Sequence, residues 1–450
     1  MCASATETDL WKRFDEVKPD LKPEEAMDEA NRCLFCYDAP CRKACPTGIN
    51  IPSFIKKITT GNLQGSARVI MEANPMGATC ARVCPTEELC EGACVLNQFS
   101  LPIMIGDLQR YSTNWAMKNN PQLFTECKPN GKSVAVIGSG PAGLSAAREL
   151  ARLGYKVTVF EKKEKAGGLD TYGIVPFRLP QSISLWEAEQ VERLGVEIRT
   201  GVEVGKDMPV EKLMHSHDAV ILAIGMSSVP ELHIPGEDLK GVYDAIQLIE
   251  RVKEGQMKDD QFMGKRIAVI GAGNTAIDAA TCLRRLGAST VRIVYRRSEK
   301  EMSAYPSEYA FARQEGIEFR WLTSPEAIKD DGKGHVAGLT CVRMTLGEAD
   351  ASGRPRPEVI QGSEYDLSVD IVVRAIGQSR YTSLIDALWL EHDQGVVKAD
   401  PVTHQTSNSK VYAAGDVTFG RGHGEAMVVA AAEQGKQTAY AIHRQLSTES

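Results

Sequence analysis

Two stretches of the chain share one pattern, in which a short apolar run leads into a glycine-rich turn, a helix-like segment and a second apolar run. The first is SVAVIGSGPAGLSAARELARLGYKVTVFE at 133–161, and the second is RIAVIGAGNTAIDAATCLRRLGASTVRIVYRR at 266–297. A strand that enters a helix through such a turn and returns as a parallel strand is the βαβ unit of dinucleotide-binding folds. The sequence therefore predicts an α/β protein with two Rossmann-like nucleotide-binding domains.

The glycines of the first βαβ unit stand where a phosphate-bearing ligand would need them. Gly138, Gly140 and Gly143 follow the strand-like run at 133–137. A residue without Cβ permits the tight turn, the approach of a pyrophosphate and close helix packing. Glu161 ends the second run, where its carboxylate can accept hydrogen bonds from both hydroxyls of a ribose. A lone glycine motif also occurs at ordinary strand–helix corners, but here strand, helix, second strand and terminal Glu all agree.

The second βαβ unit differs from the first at two points. Gly271 and Gly273 keep their places, while Ala276 replaces the third glycine, a change that the motif tolerates. Its second strand runs into Arg296 and Arg297 instead of an acidic residue, and guanidinium groups there suit the 2′-phosphate of NADP. The pair therefore favours NADPH over NADH. The alternative is a solvated basic strand end, because charged residues are mostly exposed.

The chain returns to the first nucleotide-binding domain near its C-terminus. VYAAGDV at 411–417 precedes the Ala-rich, helix-like EAMVVAAAEQGKQTAYAIH, which predicts that the second domain is inserted in the first. We expect 131–245 and 376–450 to form the first domain and 246–375 to form the second. Two such sites have a chemical purpose when one holds FAD and the other NAD(P), since hydride passes directly between the two rings. No catalytic side chain is then required.

Eight cysteines crowd into the segment before these domains. Their order is Cys33-x2-Cys36-x4-Cys41-x3-Cys45 and then Cys80-x3-Cys84-x5-Cys90-x3-Cys94. Eight thiolates can hold two cubane iron–sulfur clusters or two all-cysteine zinc ions. Two Cys-Pro steps, and the need for an electron outlet beside a flavin, favour clusters. The remaining cysteines, Cys2, Cys127, Cys282 and Cys341, form no close pair in sequence, which argues against a redox disulfide.

The bulk properties limit the class of partner. Residues 1–120 show helical periodicity and predict an α-helical domain, which a linker at 121–131 separates from the α/β part. The net charge of −7 gives no reason to expect nucleic acid or anionic membrane as a partner. No apolar run approaches the roughly 20 residues that cross a bilayer. The expected location is the cytoplasm.

From about Cys33 onwards the chain resembles the NAD(P)H-oxidising, FAD- and iron–sulfur-containing subunit of bacterial dihydropyrimidine dehydrogenases. The matching stretches are RCLFCYDAPCRKACPT, GATCARVCPTEELCEGAC, IGDLQRY, GSGPAG, GGLDTYGIVPFRLP, GAGNTAID and AAGD. The β (small) subunit of glutamate synthase is similar over the same span. The resemblance implies two [4Fe-4S] clusters, one on Cys33, Cys36, Cys41 and Cys94, the other on Cys45, Cys84, Cys90 and Gln109. Cys80 is then spare, and Gln109 favours the dehydrogenase because glutamate synthase relatives tend to have Glu there.

The glycine turns and the resemblance together give the candidate nucleotide contacts. For FAD they are Gly138, Gly140, Pro141, Ala142, Gly143, Glu161, Lys162, Gly167, Gly168, Leu169, Arg178, Gly415, Asp416 and Met427. For NADPH (or NADH) they are Gly271, Ala272, Gly273, Asn274, Thr275, Arg296, Arg297, Ala375 and Gly377. One departure from the family pattern weakens the NADPH preference: a further arginine expected after the Arg296 pair corresponds here to about Ser303.

The resemblance also implies a partner, since the family's pyrimidine-binding FMN barrel has no counterpart in these modules. The expected activity is electron input from NAD(P)H, through FAD and the clusters, to a catalytic FMN/iron–sulfur subunit that interconverts uracil or thymine and the 5,6-dihydropyrimidine within a hetero-oligomer. The alternatives are service to glutamate synthase or another NAD(P)H-dependent enzyme, and a zinc-stapled interaction protein.

Overall fold

The computed structural model describes residues 12–226, 228–257, 261–349, 353–419 and 426–448. These residues divide into two compact units. Apart from those gaps, the main unit contains residues 18–171, 178–226 and 380–448, and the insert unit contains residues 12–17, 172–177 and 228–379.

The N-terminal part of the main unit is helical. Its helices are α1 (Pro23–Asn31), α2 (Pro40–Ala44), α3 (Ile51–Thr59), α4 (Leu63–Ala73), α5 (Gly77–Val83) and α6 (Ile105–Asn119). A 3-10 helix, Val95–Gln98, lies between α5 and α6. Between residues 12 and 120 the structure has no strand, as the sequence pattern predicts.

Local signals start these helices and a shared core joins them. The Asn50 side chain accepts a hydrogen bond from the Ser53 amide at 3.2 Å and so caps α3. Phe54 of α3, Ile70 of α4 and Leu108 of α6 are fully buried in one apolar cluster. Several of the cysteines line the edge of this cluster, where the loops between the helices carry them.

The main unit also contains a five-stranded parallel sheet. Its strands are β1 (Ser133–Ile137), β2 (Lys156–Phe160), β3 (Glu197–Arg199), β4 (Ala219–Leu222) and β16 (Val411–Ala413), in the order β16-β4-β1-β2-β3. The helices are α7 (Pro141–Arg152), α8 (Leu169–Tyr172), α9 (Gln181–Glu192), α10 (Val210–Ser216), α14 (Thr382–Ala387) and α15 (Val428–Thr448), beside a small hairpin, β14 (His392–Asp393) and β15 (Val396–Val397). Strands β1 and β4 are buried almost throughout, which is typical of a parallel sheet covered on both faces.

The last strand and helix complete this first nucleotide fold. Strand β16 pairs in parallel with β4, and α15 packs on α7 so closely that a Cβ at Gly435 would lie 2.1 Å from the Ala142 carbonyl oxygen. The prediction that the second fold is inserted in the first is therefore confirmed.

The insert unit repeats the parallel arrangement. Its sheet consists of β5 (Val242–Asp244), β6 (Arg266–Ile270), β7 (Thr290–Val294), β8 (Glu318–Arg320) and β13 (Ile371–Arg374), in the order β5-β13-β6-β7-β8. Helices α11 (Ala245–Lys253), α12 (Asn274–Arg285) and α13 (Pro306–Gln314) accompany it. An antiparallel sheet follows, made of β9 (Thr323–Asp330), β10 (Val336–Ala349), β11 (Pro355–Val359) and β12 (Tyr365–Leu367), in which β10 pairs with the other three.

The sheets extend beyond the segments expected from the sequence. Strand β5 precedes the expected boundary at 246 yet pairs with β13 of the insert unit. Residues 12–17, which we expected in the helical domain, also belong to the insert unit, where the Phe14 ring packs 6.2 Å from that of Phe177. None of the described helices combines the length and apolar character needed to cross a membrane.

Candidate cofactor sites

The three glycines of the turn in the main unit have different surroundings. A Cβ at Gly138 would lie 2.4 Å from the Ala223 carbonyl oxygen, and one at Gly143 would lie 2.0 Å from that of Gly138, so backbone packing excludes larger residues at both positions. A Cβ at Gly140 would meet no protein atom within 4 Å. Gly140 is therefore open in front of the N-terminus of α7, where amide groups attract phosphate.

Glu161 ties this turn to the end of β2. Its carboxylate accepts hydrogen bonds from the Ser139 amide at 3.0 Å, from the Ser139 hydroxyl at 2.6 Å and from the Lys163 amide at 2.8 Å. Three of the roughly four lone-pair sites of the carboxylate are thus occupied within the protein. Glu161 is buried and shapes the turn. Its partner Ser139, which the glycine motif did not reveal, donates two hydrogen bonds to the carboxylate.

The loop after β2 folds back onto the same turn. The Gly167 amide donates to the Ser139 carbonyl oxygen at 3.1 Å, and a Cβ at Gly168 would lie 2.8 Å from the Gly140 Cα. Leu169 then begins α8, and Arg178 follows half-buried beyond that helix. The predicted contact Lys162 instead donates to the Tyr381 hydroxyl at 2.6 Å and lies over its ring.

The AAGD segment at 413–416 lies against the same site. Gly415 adopts a φ of 78°, and a Cβ there would lie 3.1 Å from the Ala142 Cβ, which places the AAGD turn against the start of α7. Burial raises the pKa of the adjoining Asp416. Arg380, which no motif revealed, holds the segment by donating to the backbone carbonyl oxygens of Asp416 and Phe419.

Met427 precedes α15, and its carbonyl oxygen accepts from the Ala431 amide at 3.0 Å as the first turn of the helix forms. Pro141 and Ala142 occupy the first turn of α7. The structure therefore gathers the turn, Glu161, the loop at 167–168 and the AAGD segment around one open space, and this donor set fits a dinucleotide.

The glycine turn of the insert unit repeats the packing of the first. A Cβ at Gly271 would lie 2.2 Å from the Ala375 carbonyl oxygen, just as Gly138 approaches Ala223. Ala272 is buried, Gly273 approaches the hydroxyl of Ser303, and Asn274 accepts from the Tyr305 amide at 3.2 Å.

The rim of this second turn is open. Thr275 is half-buried in the first turn of α12. Gly377 has a φ of 109°, and a Cβ there would meet nothing within 4 Å. Residues at the turn and after β13 thus surround a second open space within the insert unit.

The two arginines after β7 have different surroundings. Arg296 is exposed, whereas Arg297 is 4% exposed and its Nε donates to the Pro355 carbonyl oxygen at 2.9 Å on β11. Both arginines were expected at the 2′-phosphate. The structure gives Arg297 a structural contact as well, so Arg296 is the better placed of the two.

Four of the cysteines meet at one apolar pocket. Cys33, Cys36, Cys41 and Cys94 line it together with Leu34, Pro40, Ile51, Pro52, Ile55, Val95, Leu96, Ile103 and Ile105. Burial raises the pKa of the Cys33 thiol and raises that of Cys41 to about 11, and the neighbouring thiols of the group add to both shifts. Soft sulfur ligands in an apolar pocket fit an iron–sulfur cluster, whose irons would stabilise the thiolates. We call these four residues the outer group.

Cys45, Cys84 and Cys90 form a second set, which we call the inner group. Burial raises the pKa of Cys90, and Cys84 and Cys45 are near enough to raise it further. Cys80 is 2% exposed and its thiol is hydrogen-bonded to that of Cys84. Gln109 is buried on α6, where its Nε2 donates to a carbonyl oxygen of α5 at 2.7 Å.

The two groups coincide with the division expected from the resemblance, with Cys80 placed beside the inner one. Cluster ligation stays a prediction. In the part of the chain that the structure describes, no three histidine, cysteine or carboxylate side chains converge tightly enough to hold a single metal ion.

A buried carboxylate supports the helix that leads to the inner group. Glu187 of α9 accepts from the amides of Ala78 and Thr79 at 2.7 and 3.1 Å, and from the Thr79 hydroxyl at 2.5 Å, at the N-terminus of α5. Burial raises the pKa of Glu187 to about 7. Helix α5 ends at Cys84. In the sequence LWEAE nothing distinguishes Glu187, which is buried, from Glu189, which is exposed.

Three described cysteines lie outside the helical part. Cys282 and Cys341 are buried and Cys127 is exposed, and none forms a disulfide. Cys2 lies outside the described residues.

Fold and sites together define a flavin- and pyridine nucleotide-dependent oxidoreductase with an iron–sulfur domain. Residues 132–435 match the family described as pyridine nucleotide-disulphide oxidoreductase, and residues 10–121 match dihydropyrimidine dehydrogenase domain II, 4Fe-4S cluster. The chain belongs to the pyridine nucleotide-disulphide oxidoreductase family.

Its relatives fall into more than one functional group. The glutamate synthase [NADPH] small chain of Halomonas elongata is 37% identical over 445 residues, covering 96% of this chain and 93% of the relative. The NAD-dependent dihydropyrimidine dehydrogenase subunit PreT of Escherichia coli K12 is 34% identical over 434 residues, covering 96% and 97%. The structure of Mycobacterium tuberculosis FprA in complex with NADPH superposes with a TM-score of 0.58 at 23% identity, over 71% of this chain and 85% of that one, and shows the shared fold.

Proposed function

We propose that this chain is the electron-input subunit of a dihydropyrimidine dehydrogenase. It oxidises NAD(P)H and delivers electrons to a partner subunit that carries FMN, iron–sulfur clusters and the pyrimidine site. The balanced overall reaction is uracil plus NAD(P)H plus one proton giving dihydrouracil plus NAD(P)⁺, or the reverse. When bound, FAD accepts the hydride and two [4Fe-4S] clusters pass its two electrons on singly.

We assign the cofactors to the three parts of the chain by their donor sets. The helical part offers sulfur ligands, the first nucleotide fold offers the open turn at Gly140 with Glu161 and Asp416, and the insert unit offers the turn at Gly271 with Arg296. Cys84 packs against the apolar core under the first parallel sheet. This contact supports the proposal that a cluster bound by Cys84 exchanges electrons with FAD.

The proposal of pyrimidine chemistry rests on the glutamine at position 109. Its Nε2 donates to the carbonyl oxygen of Gly77, the first residue of α5, and Cys84 follows the last residue of that helix. A neutral amide oxygen can replace a fourth thiolate in the dehydrogenase pattern, whereas glutamate synthase relatives tend to carry Glu there. Gln109→Leu should therefore lower iron content by about half if each cluster holds four irons, while Cys80→Ser should leave it unchanged. The reverse pattern would make Cys80 the ligand.

The glutamate synthase role is the second candidate, because small chains of that enzyme reach 37% identity. The chain should be purified with the catalytic subunit encoded beside it, and NAD(P)H consumption compared with uracil and with 2-oxoglutarate plus glutamine. Turnover with uracil is expected. Turnover with 2-oxoglutarate and glutamine alone would replace the proposal by the second candidate.

A further inference from the structure

Most of the exposed large apolar side chains in the described part of the main unit belong to the helical part, which also carries the outer cysteine group. Leu34, Tyr37, Phe99, Leu101 and Met104 are 62%, 106%, 84%, 78% and 38% exposed. Of the seven large apolar residues that are exposed in the described part of this unit, these five lie in the helical part. A clustered set of exposed aromatic and aliphatic groups is typical of a surface that another molecule covers. We call these five residues the apolar patch.

Two segments form the apolar patch, and contacts hold them together. The Arg32 Nη2 donates to the Leu101 carbonyl oxygen at 2.6 Å, and Glu29, which pairs with Arg32, accepts from the Met104 amide at 2.8 Å. Leu34 lines the same pocket as Ile103. The segment of the first cysteines and the segment at 99–104 therefore present one joint surface.

The outer group is the half of the cysteine set that lies next to this surface. Leu34 lies between Cys33 and Cys36 in the sequence, and Tyr37 directly follows Cys36. Cys84 of the inner group packs against the core beneath the first sheet, whereas Cys45 and Cys90 share the helical core with the outer group. Because the rate of electron transfer falls steeply with distance, an acceptor docked on the apolar patch would receive electrons from the outer group.

The charges around the apolar patch indicate the character of the acceptor. Lys56 lies over the Phe35 ring, with its Nζ 4.8 Å from the ring centre, and Arg42 is exposed beside Cys41. Lys43 is paired with Asp38 at 2.7 Å, whereas Lys56 and Arg42, which are both exposed, are cations that a partner could contact. A partner with an apolar face and an acidic rim would be complementary.

We propose that the apolar patch is the docking surface for the electron-accepting catalytic subunit, which covers the outer cysteine group. This inference rests on the proposed function for the existence of an acceptor subunit. It specifies an occupant, a folded protein with an acidic rim, and a position, the segments 34–37 and 99–104.

The test compares one residue of the apolar patch with a matched residue elsewhere. Leu101→Asp places a charge in the proposed contact, and Val402→Asp places the same charge at a position of the main unit that is 71% exposed. We expect Leu101→Asp to weaken binding of the purified catalytic subunit at least ten-fold, as hot-spot substitutions do, and Val402→Asp to change it less than two-fold. Iron content, flavin content and NAD(P)H-dependent ferricyanide reduction should stay at the wild-type level in both.

A photo-crosslinking residue at position 37 provides a second readout in the same purified complex. It should crosslink to the catalytic subunit. A crosslinking residue in place of Trp389, which is 69% exposed in the main unit but outside its helical part, should not.

Wild-type affinity in Leu101→Asp together with no crosslink at 37 would overturn the docking proposal. Loss of binding to phosphatidylserine vesicles with an unchanged complex would make the surface a membrane contact and would also overturn it. If the same results appear with a glutamate synthase large subunit, the docking surface stands and the pyrimidine function fails.

Discussion

Replacement of Glu187 by Gln should change how the stability of the inner cysteine helix depends on pH. The carboxyl group is buried at the N-terminus of α5, and burial raises its pKa to about 7 from 4.5. Between these two values the folded chain binds more protons than the unfolded chain. Stability from this group is therefore fully present below pH 4.5 and is lost as pH rises through 7.

The size of the effect follows from the shift. One pKa unit corresponds to about 1.4 kcal/mol, so the 1.5 or so units between pH 5.5 and 7 amount to roughly 2 kcal/mol. Wild-type α5 should therefore lose roughly 2 kcal/mol of local opening free energy between pH 5.5 and 8.5 through this residue. Glu187→Gln carries no titrating group and should lose none of it, while its amide oxygen still accepts from the Ala78 and Thr79 amides.

Hydrogen exchange of peptides that span residues 77–83 measures this local free energy in the intact protein, after correction for the intrinsic exchange rate at each pH. Glu189→Gln is the matched control, because Glu189 lies on the same helix but is 53% exposed and paired with Arg193 at 2.6 Å. Glu189→Gln should follow the wild type. A pH dependence that is identical in the wild type and Glu187→Gln would refute the argument.

Three further predictions address the cofactor sites. Gly140→Ala should leave the fold intact, since a Cβ there meets no protein atom within 4 Å, but should reduce FAD retention after gel filtration; full retention would show that no pyrophosphate passes this point. Arg296→Ala should raise KM for NADPH about 10- to 100-fold and leave KM for NADH unchanged, as loss of a charge-assisted bond predicts. Arg297→Ala should instead lower the melting temperature, because it leaves the Pro355 carbonyl without its donor; equal KM changes from both substitutions would contradict this division. Cys94→Ser should halve bound iron in anaerobic preparations and Cys127→Ser should leave it unaltered; equal iron in both would remove Cys94 from the ligand set.

The two nucleotide folds could be predicted because their signals are local. Each combines a buried apolar run, a glycine turn and a helix within about thirty residues, and the packing of Gly138 and Gly271 on neighbouring carbonyl oxygens explains why glycine stands there. The grouping of the cysteines followed from the resemblance, not from spacing, because four helices lie between Cys33 and Cys94 in the sequence.

Other features depend on contacts between residues distant in sequence. In the antiparallel sheet around β10, short connections join β10 to β9 and to β11, but its pairing with β12, as in Leu339 with Leu367, joins residues far apart in the sequence. Arg297 carried the same sequence signal as Arg296, and only the arrival of β11 distinguishes them by burying one guanidinium. Arg380 and Glu187 act on backbone groups far along the chain, which no periodicity reveals.

The way in which β16 and α15 complete the first sheet has a consequence for biosynthesis. The nascent polypeptide emerges from the ribosome with β1 to β4 already made, but the strand next to β4 and the helix against α7 are translated only after the whole insert unit. Until then one edge of the sheet and the groove that receives Gly435 remain uncovered. Loading of the flavin would accordingly be one of the last steps in maturation, and premature termination within the insert would leave an aggregation-prone fragment with an open strand edge.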